Sequence, residues 1–303
     1  MKSYLNCRSS ISRMFPVFLA RCLAFFPASA LYFFSDILAF FLEYVIRYRH
    51  KTVAKNLAKA FPEKSAEERA DVAHKFYQHL ADVVVEFIML SRMRHEDLLR
   101  RFDIQGLDEV KQLMRQGQSV ILLSAHQGNW EWMLASVAIS LQYPMDALYR
   151  PLHNASAEQF FMAIRTRFCS HMIPADKAAK AILKHRKETR AFGILSDQNP
   201  RRRDSKYWTT FMGVDTPVSI GVERIAKMMS YPLFYVATEK LARGKYRCNI
   251  QPLAQPPYEG EGQVSQVYMS AVEAHMRQQP ECWMWSHHRW RYEKKDCPES
   301  QRI

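Results

Sequence analysis

Residues 121–133 read ILLSAHQGNWEWM and contain two side chains that could carry acid–base chemistry, His126 and Glu131. An imidazole that a carboxylate holds in one tautomer is a competent general base, and the carboxylate stabilises the imidazolium that forms. On one continuous helix, however, residues five positions apart are separated by about 140° around the axis and face different directions. The two side chains can therefore meet only if a helix begins between them.

Gly128 and Asn129 provide such a helix start. Glycine accepts backbone angles that other residues avoid, and asparagine is favoured immediately before the first helical turn. Glu131 then lies in that first turn, where the helix dipole favours an anion, while His126 stays at the end of the preceding strand. We predict that Glu131 orients His126 and that His126 acts as the base.

Other chemistries fit this stretch less well. Ser124 precedes His126 on the predicted strand and the chain has no G-x-S-x-G elbow, so the proton is expected to come from a substrate hydroxyl or water. The H-x4-E spacing does not place two zinc ligands on one helix face, so we expect no metal and no cofactor. The alternative without chemistry has His126 bonded to backbone and Glu131 serving only as a charge at the helix start.

After Gly106 the sequence alternates between short apolar runs typical of strands and helical patterns. The runs lie at residues 119–126, 144–150, 191–197 and 232–253, the last as two strands joined at Arg243-Gly244. This alternation predicts an α/β fold with a mostly parallel central sheet flanked by helices.

Three of these runs end in polar residues, His126, Arg150 and Asp197. In open α/β sheets the ligand crevice lies outside the carboxyl ends of the strands. We therefore expect the three side chains to arrive at one edge of the sheet.

Residues 15–46 are unusually apolar, with charges only at Arg21, Asp36 and Glu43. A spanning helix needs about 20 predominantly apolar residues. Basic residues flank the segment, namely Arg8, Arg13, Arg47, Arg49 and Lys51. A secretory signal peptide is less favoured because no small-residue cleavage pattern follows. We predict one membrane anchor, spanning or monotopic, with the remaining chain on the cytoplasmic side; a buried core helix is the alternative.

The chain of 303 residues carries 43 Lys and Arg against 30 Asp and Glu, a formal net charge of +13. Such a charge favours an anionic membrane surface, an acidic ligand or nucleic acid. Nucleic acid is the least favoured partner, because the basic residues are dispersed and an anchor would hold the protein at the bilayer. The six cysteines form no C-x-x-C pair, so neither a zinc site nor a disulfide framework is indicated.

Several segments together resemble the lipid A biosynthesis acyltransferase family of Gram-negative bacteria, the late lauroyl and myristoyl transferases. These segments are RYRHKTVAKNLAKAFPE (47–63), SAHQGNWE (124–131), LYRPLHN (148–154), LSDQNP (195–200), FMGVDTPVS (211–219) and ECWMWSHHRW (281–290). The second segment matches the H-x4-[DE] motif of glycerolipid-type acyltransferases.

The resemblance implies transfer of an acyl chain from acyl carrier protein to a hydroxyl of a lipid A precursor, without a covalent acyl-enzyme. It implies that His126 is the base and Glu131 its orienting partner. The residues expected at the substrate are Arg150, Arg165, Asp197, Gln198 and Asn129. Arg201, Arg202 and Arg203 are expected either to meet phosphates or the carrier or to form a solvated face. Trp283, Trp285 and Trp290 are expected to be mainly structural, at the membrane interface.

The resemblance also implies a bacterial inner-membrane protein whose catalytic domain faces the cytoplasm. We expect residues 1–50 to form the anchor and residues 51–303 the acyltransferase domain, with a helical lead-in at 51–100 and an α/β core at 101–295. Within the lead-in, Ser65 and Glu68 match a capping box that starts a new helix after Pro62.

Two other functions stay open at this point. One is the same chemistry on a lysophospholipid, an aminolipid or another glycolipid. The other is a non-catalytic membrane protein that binds anionic lipid or acyl carrier protein. The sequence does not indicate the acyl chain length, the choice between acyl carrier protein and coenzyme A as donor, or the oligomeric state.

Overall fold

The structure is a computed structural model that describes residues 20, 22–200 and 207–294. The basic residues Arg8 and Arg13 before the apolar segment, Arg21 within it, and the run Arg201, Arg202 and Arg203 lie outside the described residues.

A seven-stranded sheet forms the centre of the molecule. The strands of the described chain are β1 (Phe102–Gln105), β2 (Val120–Ser124), β3 (Met145–Tyr149), β4 (His171–Pro174), β5 (Ala191–Leu195), β6 (Tyr207–Phe211), β7 (Val214–Val218), β8 (Leu233–Ala242) and β9 (Lys245–Ala254). The sheet order is β1-β9-β8-β2-β5-β3-β4, with β6 and β7 in a separate antiparallel hairpin. Only β8 and β9 pair antiparallel within the sheet. The predicted mostly parallel sheet is confirmed.

Helices cover both faces of this sheet. They are α1 (Ala28–Phe40), α2 (His50–Ala60), α3 (Ala66–Leu90), α4 (His95–Leu99), α5 (Leu107–Arg115), α6 (Trp130–Leu141), α7 (Ala155–Arg165), α8 (Ala178–Lys184), α9 (Gly221–Met229) and α10 (Gln263–Gln278). Side chains alternate across β2: Leu122 packs in the core with α6 and α7, whereas Ile121 and Leu123 pack in the core with α9 and α10. The two cores explain why β2 and β5 read as continuous apolar runs, since both of their faces are buried.

The capping box predicted at the start of α3 is confirmed. The Ser65 hydroxyl accepts a hydrogen bond from the Glu68 amide at 3.1 Å, and the Ser65 amide donates to the Glu68 carboxylate at 2.6 Å. The predicted helical region therefore breaks between α2 and α3, where Pro62 lies.

Within the described chain, one helical segment, Ala28–Val45, is long and apolar enough to cross a membrane. This segment comprises α1 and a short π-helical continuation at Phe41–Val45. One side of it exposes large aromatic residues, including Phe33, Phe40 and Phe41.

The other side of α1 packs on α3 through polar contacts. The buried Ser35 hydroxyl donates to Asp82 at 2.8 Å. Asp36, which would be costly in hydrocarbon if unpaired, pairs with Arg243 at 2.6 Å, and Arg243 also donates to Asp82. The α1 helix is therefore attached to the rest of the fold and leaves a single apolar side exposed.

Glu86 of α3 links α1 to the stretch that contains His126. Its fully buried carboxylate accepts hydrogen bonds from Tyr32 of α1 at 2.9 Å, Tyr246 of β9 at 2.7 Å and Asn129 at 2.7 Å. Burial raises the pKa of the Glu86 carboxyl to about 7, although the three hydrogen bonds act in the opposite direction.

Replacing Glu86 with glutamine should remove a pH dependence of stability. Because the folded-state pKa of Glu86 lies above its ordinary value of 4.5, the carboxyl favours folding fully at low pH and loses that contribution as the pH rises through about 7. The loss is at most about 1.4 kcal/mol per pH unit. Thermal unfolding of both purified proteins across this range should therefore show the melting temperature of Glu86→Gln rising relative to that of the wild type as the pH increases. Parallel curves would contradict the assignment of this titration to Glu86.

Candidate active site

The site lies at the carboxyl ends of three neighbouring parallel strands. His126 follows β2 and Asp197 follows β5 by two residues each, and these strands pair in register with Ser124 opposite Leu195. Arg150 comes directly after β3, which pairs with the other side of β5. The structure thus brings the three predicted strand-end residues to one edge of the sheet.

His126 is held by Asp197 through two hydrogen bonds. The imidazole Nδ1 lies 2.7 Å from Asp197 Oδ1, and the His126 amide donates to Asp197 Oδ2 at 3.1 Å. Since an ionised carboxylate can only accept, Nδ1 carries the proton and the other ring nitrogen, Nε2, keeps its lone pair. This is the tautomer that a general base requires.

Asp197 is fully buried and stays ionised. Burial alone would raise the pKa of its carboxyl, but the neighbouring His126, its amide and the Trp283 indole N–H, which donates at 3.0 Å, hold that pKa below the ordinary value. The carboxylate therefore keeps its charge opposite the imidazole.

The prediction that the Glu131 carboxylate orients His126 is wrong, because the structure places that carboxylate against other partners. Among the described residues, the Glu131 carboxylate instead pairs with Arg165 of α7, with N–O distances of 3.0 and 2.5 Å. It also accepts from the Trp130 indole at 3.2 Å, and the Trp130 ring packs edge-on against His126 with centroids 5.4 Å apart. The carboxylate that bonds the His126 imidazole is that of Asp197, whereas Glu131 bonds Trp130, whose ring contacts the imidazole.

The predicted break between His126 and Glu131 is present nonetheless. Gly128 has a φ of +59°, and a Cβ there would lie 2.7 Å from the Thr238 carbonyl oxygen of β8. Asn129 precedes the first residue of α6, and its side-chain oxygen accepts from the Trp132 amide at 2.8 Å. The glycine and the asparagine thus have the predicted backbone roles.

Asn129, expected at the substrate, is fully buried and does not line the cavity beside His126. Both ends of its side-chain amide are occupied, the oxygen by Trp132 and the nitrogen by Glu86. Its position makes it a support of the His126 stretch rather than a substrate contact.

Breaking the pair of Arg165 with Glu131 should be costly, because the side chains are only 19% and 7% exposed. Removing one partner of a buried ion pair costs about 3–5 kcal/mol, since the other charge stays buried alone. We expect Arg165→Met to lower the free energy of unfolding by about that amount. The double variant Arg165→Met with Glu131→Gln should recover most of the loss. Denaturant unfolding of the single and double variants measures this, and equal losses in both would refute the coupling.

A cavity of about 370 Å³ opens beside His126. Four other predicted site residues line it, namely Glu131, Arg150, Arg165 and Gln198. Most of its remaining wall is apolar and comes from β2, β3, β5, α6 and α9. Such a cavity suits an aliphatic chain that ends in a reactive group near the imidazole.

A segment near the end of the described chain, residues 282–284, bonds the backbone around His126. The Gly128 amide donates to the Cys282 carbonyl at 3.0 Å, the Met284 amide donates to the His126 carbonyl at 3.0 Å, and Gln127 bridges Trp283. The backbone around His126 is therefore held by hydrogen bonds at the His126 carbonyl and at the Gly128 amide.

The tryptophans of this segment are core residues. Trp283, Trp285 and Trp290 are all buried, and Trp283 and Trp290 pack against Phe211. The expectation that they lie at the membrane interface is wrong, because their rings fill the interior of the fold. Trp283 also has a function that the sequence pattern did not show, as a hydrogen-bond donor to Asp197.

Two further supports of the site were not predicted. Glu86 holds Asn129, and the buried His79 of α3 bonds the Gly128 carbonyl at 3.1 Å. A single acid in an otherwise apolar stretch of α3, VVVEFIML (83–90), was the available signal for Glu86. Among the described residues, no three His, Cys, Asp or Glu side chains cluster as metal ligands.

Comparison with known proteins gives consistent results. The family described as bacterial lipid A biosynthesis acyltransferase matches residues 2–292. The lipid A biosynthesis palmitoleoyltransferase of Escherichia coli (strain K12) is 25% identical over 247 residues, 81% of this chain and 80% of the relative. The lipid A biosynthesis lauroyltransferase of the same strain is 22% identical over 252 residues, 82% of this chain and 81% of the relative. The lipid A biosynthesis acyltransferase of Haemophilus influenzae is 22% identical over 237 residues, covering 76% and 72%.

Proposed function

The chain belongs to the bacterial lipid A biosynthesis acyltransferase family, and on that premise we propose that it transfers an acyl chain from acyl carrier protein to a hydroxyl of a lipid A precursor. The observation that carries the proposal is the His126 imidazole, oriented by Asp197 and facing an apolar cavity. The reaction needs a base beside a site for an aliphatic chain, and the orientation of His126 beside this cavity supports assigning both.

In the proposed reaction His126 Nε2 takes the proton of the acceptor hydroxyl as its oxygen attacks the thioester carbonyl. The new C–O bond forms, the C–S bond breaks, and the proton passes from the imidazolium to the departing thiolate. Asp197 stabilises the imidazolium between these two transfers. Direct attack by the acceptor means that no covalent acyl-enzyme forms.

Positive charge at the site supports the choice of substrates. Arg150 lines the cavity at the end of β3, where its guanidinium can meet a phosphate or the developing oxyanion. Gln198, beside Asp197, also lines the cavity and can bond a substrate hydroxyl. The net charge of +13 suits an acidic carrier protein and a phosphorylated lipid.

We further propose that the protein resides at the bacterial inner membrane with its catalytic domain toward the cytoplasm. The exposed aromatic side of Ala28–Val45 supports insertion into a bilayer, with residues 1–50 as the anchor and residues 51–303 as the acyltransferase domain. The attachment of α1 to α3 through Ser35 and Asp82 would hold the domain close to the lipid surface.

The test is the lipid profile of a strain from which the gene has been deleted. We expect its lipid A to lack one secondary acyl chain, and expression of the wild-type protein to restore that chain. Mass spectrometry of lipid A and of the polar lipids distinguishes the acceptors. Unchanged lipid A with altered polar lipids would move the acceptor to another lipid, and no change in either would contradict the proposed acyl transfer.

A further inference from the structure

The cavity beside His126 is lined from both faces of the sheet. Gly193 of β5 faces α6, since a Cβ there would lie 2.9 Å from the Met145 terminal methyl and 3.3 Å from a Leu134 methyl. Ile194, the next residue, faces the opposite way and packs in the core with α9. Both residues line the cavity. The wall of the cavity is therefore supplied from both faces of the sheet, and we call the parts next to α6 and next to α9 its two limbs.

The two limbs are defined by their walls. The α6-side limb is lined by Leu122, Met133, Leu134, Met145, Ala147 and Gly193. The α9-side limb is lined by Ala175, Ala178, Ile194, Gly221, Val222 and Ile225.

The limbs differ in their access to solvent. On the α6 side Leu122, Met145 and Ala147 are at most 3% exposed, so this limb ends inside the core. On the α9 side Ala178, Ile194 and Ile225 are also buried. Gly221 and Ala175 are exposed and Val222 is half-buried, however, so the wall of this limb extends to the surface.

A reaction between two aliphatic chains needs such a branched space. When the acceptor hydroxyl sits within an acyl chain, the donor chain and the rest of the acceptor chain both leave the reacting atoms and cannot occupy one channel. A hydroxyl that is not borne by an acyl chain does not impose this branching at the reacting atoms.

We propose that the α6-side limb holds the donor acyl chain and the α9-side limb holds the hydroxyl-bearing acyl chain of the acceptor. The closed limb limits the length of a chain that is delivered whole, and the open limb admits a chain that belongs to a larger lipid. This assignment rests on the proposed function.

Two substitutions and one control test the assignment with purified full-length protein. Gly193→Ala displaces the Met145 and Leu134 methyls into the α6-side limb, and Val222→Phe fills the α9-side limb. The control is Met228→Phe, on the exposed side of α9 and outside the cavity. Each protein is assayed with acyl thioesters of increasing length, and with an acceptor whose hydroxyacyl chain is either complete or cut off just beyond the hydroxyl.

For Gly193→Ala we expect kcat/KM to fall roughly tenfold or more on the longest accepted donor, with the shorter donors and the acceptor KM unaffected. For Val222→Phe we expect the KM of the complete acceptor to rise roughly tenfold or more, with the donor profile and the truncated acceptor unaffected. Met228→Phe should match the wild type. If Gly193→Ala does not accumulate, Leu134→Phe narrows the same limb.

Exchanged effects, with Val222→Phe changing the donor profile, would reverse the assignment. Unchanged profiles in both variants would overturn it while leaving the proposed acyl transfer intact. Failure of the wild-type protein to transfer any acyl chain would instead contradict the proposed function itself.

Discussion

Replacing His126 with alanine is expected to lower kcat of acyl transfer by about 10²–10⁴-fold, the range that a positioned general base contributes. The imidazole is the group that lines the cavity with a free ring nitrogen, because Asp197 occupies the other nitrogen. Binding of the donor should change little, since the apolar wall stays in place. Acyl transfer by purified protein, followed by mass spectrometry, gives kcat and KM separately.

A matched control is His95→Ala. His95 is exposed at the start of α4 and does not line the cavity. We expect this variant to keep wild-type kcat and KM. Wild-type kcat in His126→Ala, with the protein accumulating normally, would rule out the proposed base.

Asp197→Asn is expected to cost about as much as His126→Ala, up to about 10⁴-fold in kcat, with the fold preserved. The amide oxygen of asparagine can still accept from the His126 amide and the Trp283 indole, which both bond Oδ2 in the wild type. The amide nitrogen then faces His126 Nδ1 as a donor. This forces the ring proton to the other nitrogen, so the base loses its lone pair toward the substrate.

The double variant distinguishes this mechanism from a structural loss. Because His126 and Asp197 act as one unit, adding Asp197→Asn to His126→Ala should lower kcat little further. Additive losses, or a circular dichroism spectrum altered in the single variant, would show that Asp197 acts independently of the imidazole.

The sequence predicted the positions that depend on local patterns. Apolar runs located β2, β3 and β5, and chain direction alone put His126, Arg150 and Asp197 at one edge. Gly128 and Asn129 were interpretable because a helix start is a property of neighbouring residues. By contrast β1 and β4, of four residues each, and the short strands of the β6–β7 hairpin carry little periodic signal and were missed.

The carboxylate that bonds His126 could not be identified from local sequence patterns, for a physical reason. Spacing along the chain can relate His126 only to residues near it in sequence, such as Glu131. The contact with Asp197 depends instead on β5 lying next to β2 in the sheet. Strand order is a long-range property, and so is the placement of Arg165 opposite Glu131. Two carboxylates were available, and only the assembled sheet decides which of them faces the imidazole.

The segment that contacts the His126 stretch from behind also bears on how the protein is made. A ribosome adds residue 126 long before residues 282–284. The Cys282 carbonyl and the Met284 amide bond the His126 stretch, and the Trp283 indole bonds Asp197. Until that segment has been made, the nascent chain lacks the groups that bond the His126 stretch and Asp197. On the proposed function, acyl transfer waits until residues 282–284 have been made, so a nascent copy that stops short of them does not consume activated acyl groups.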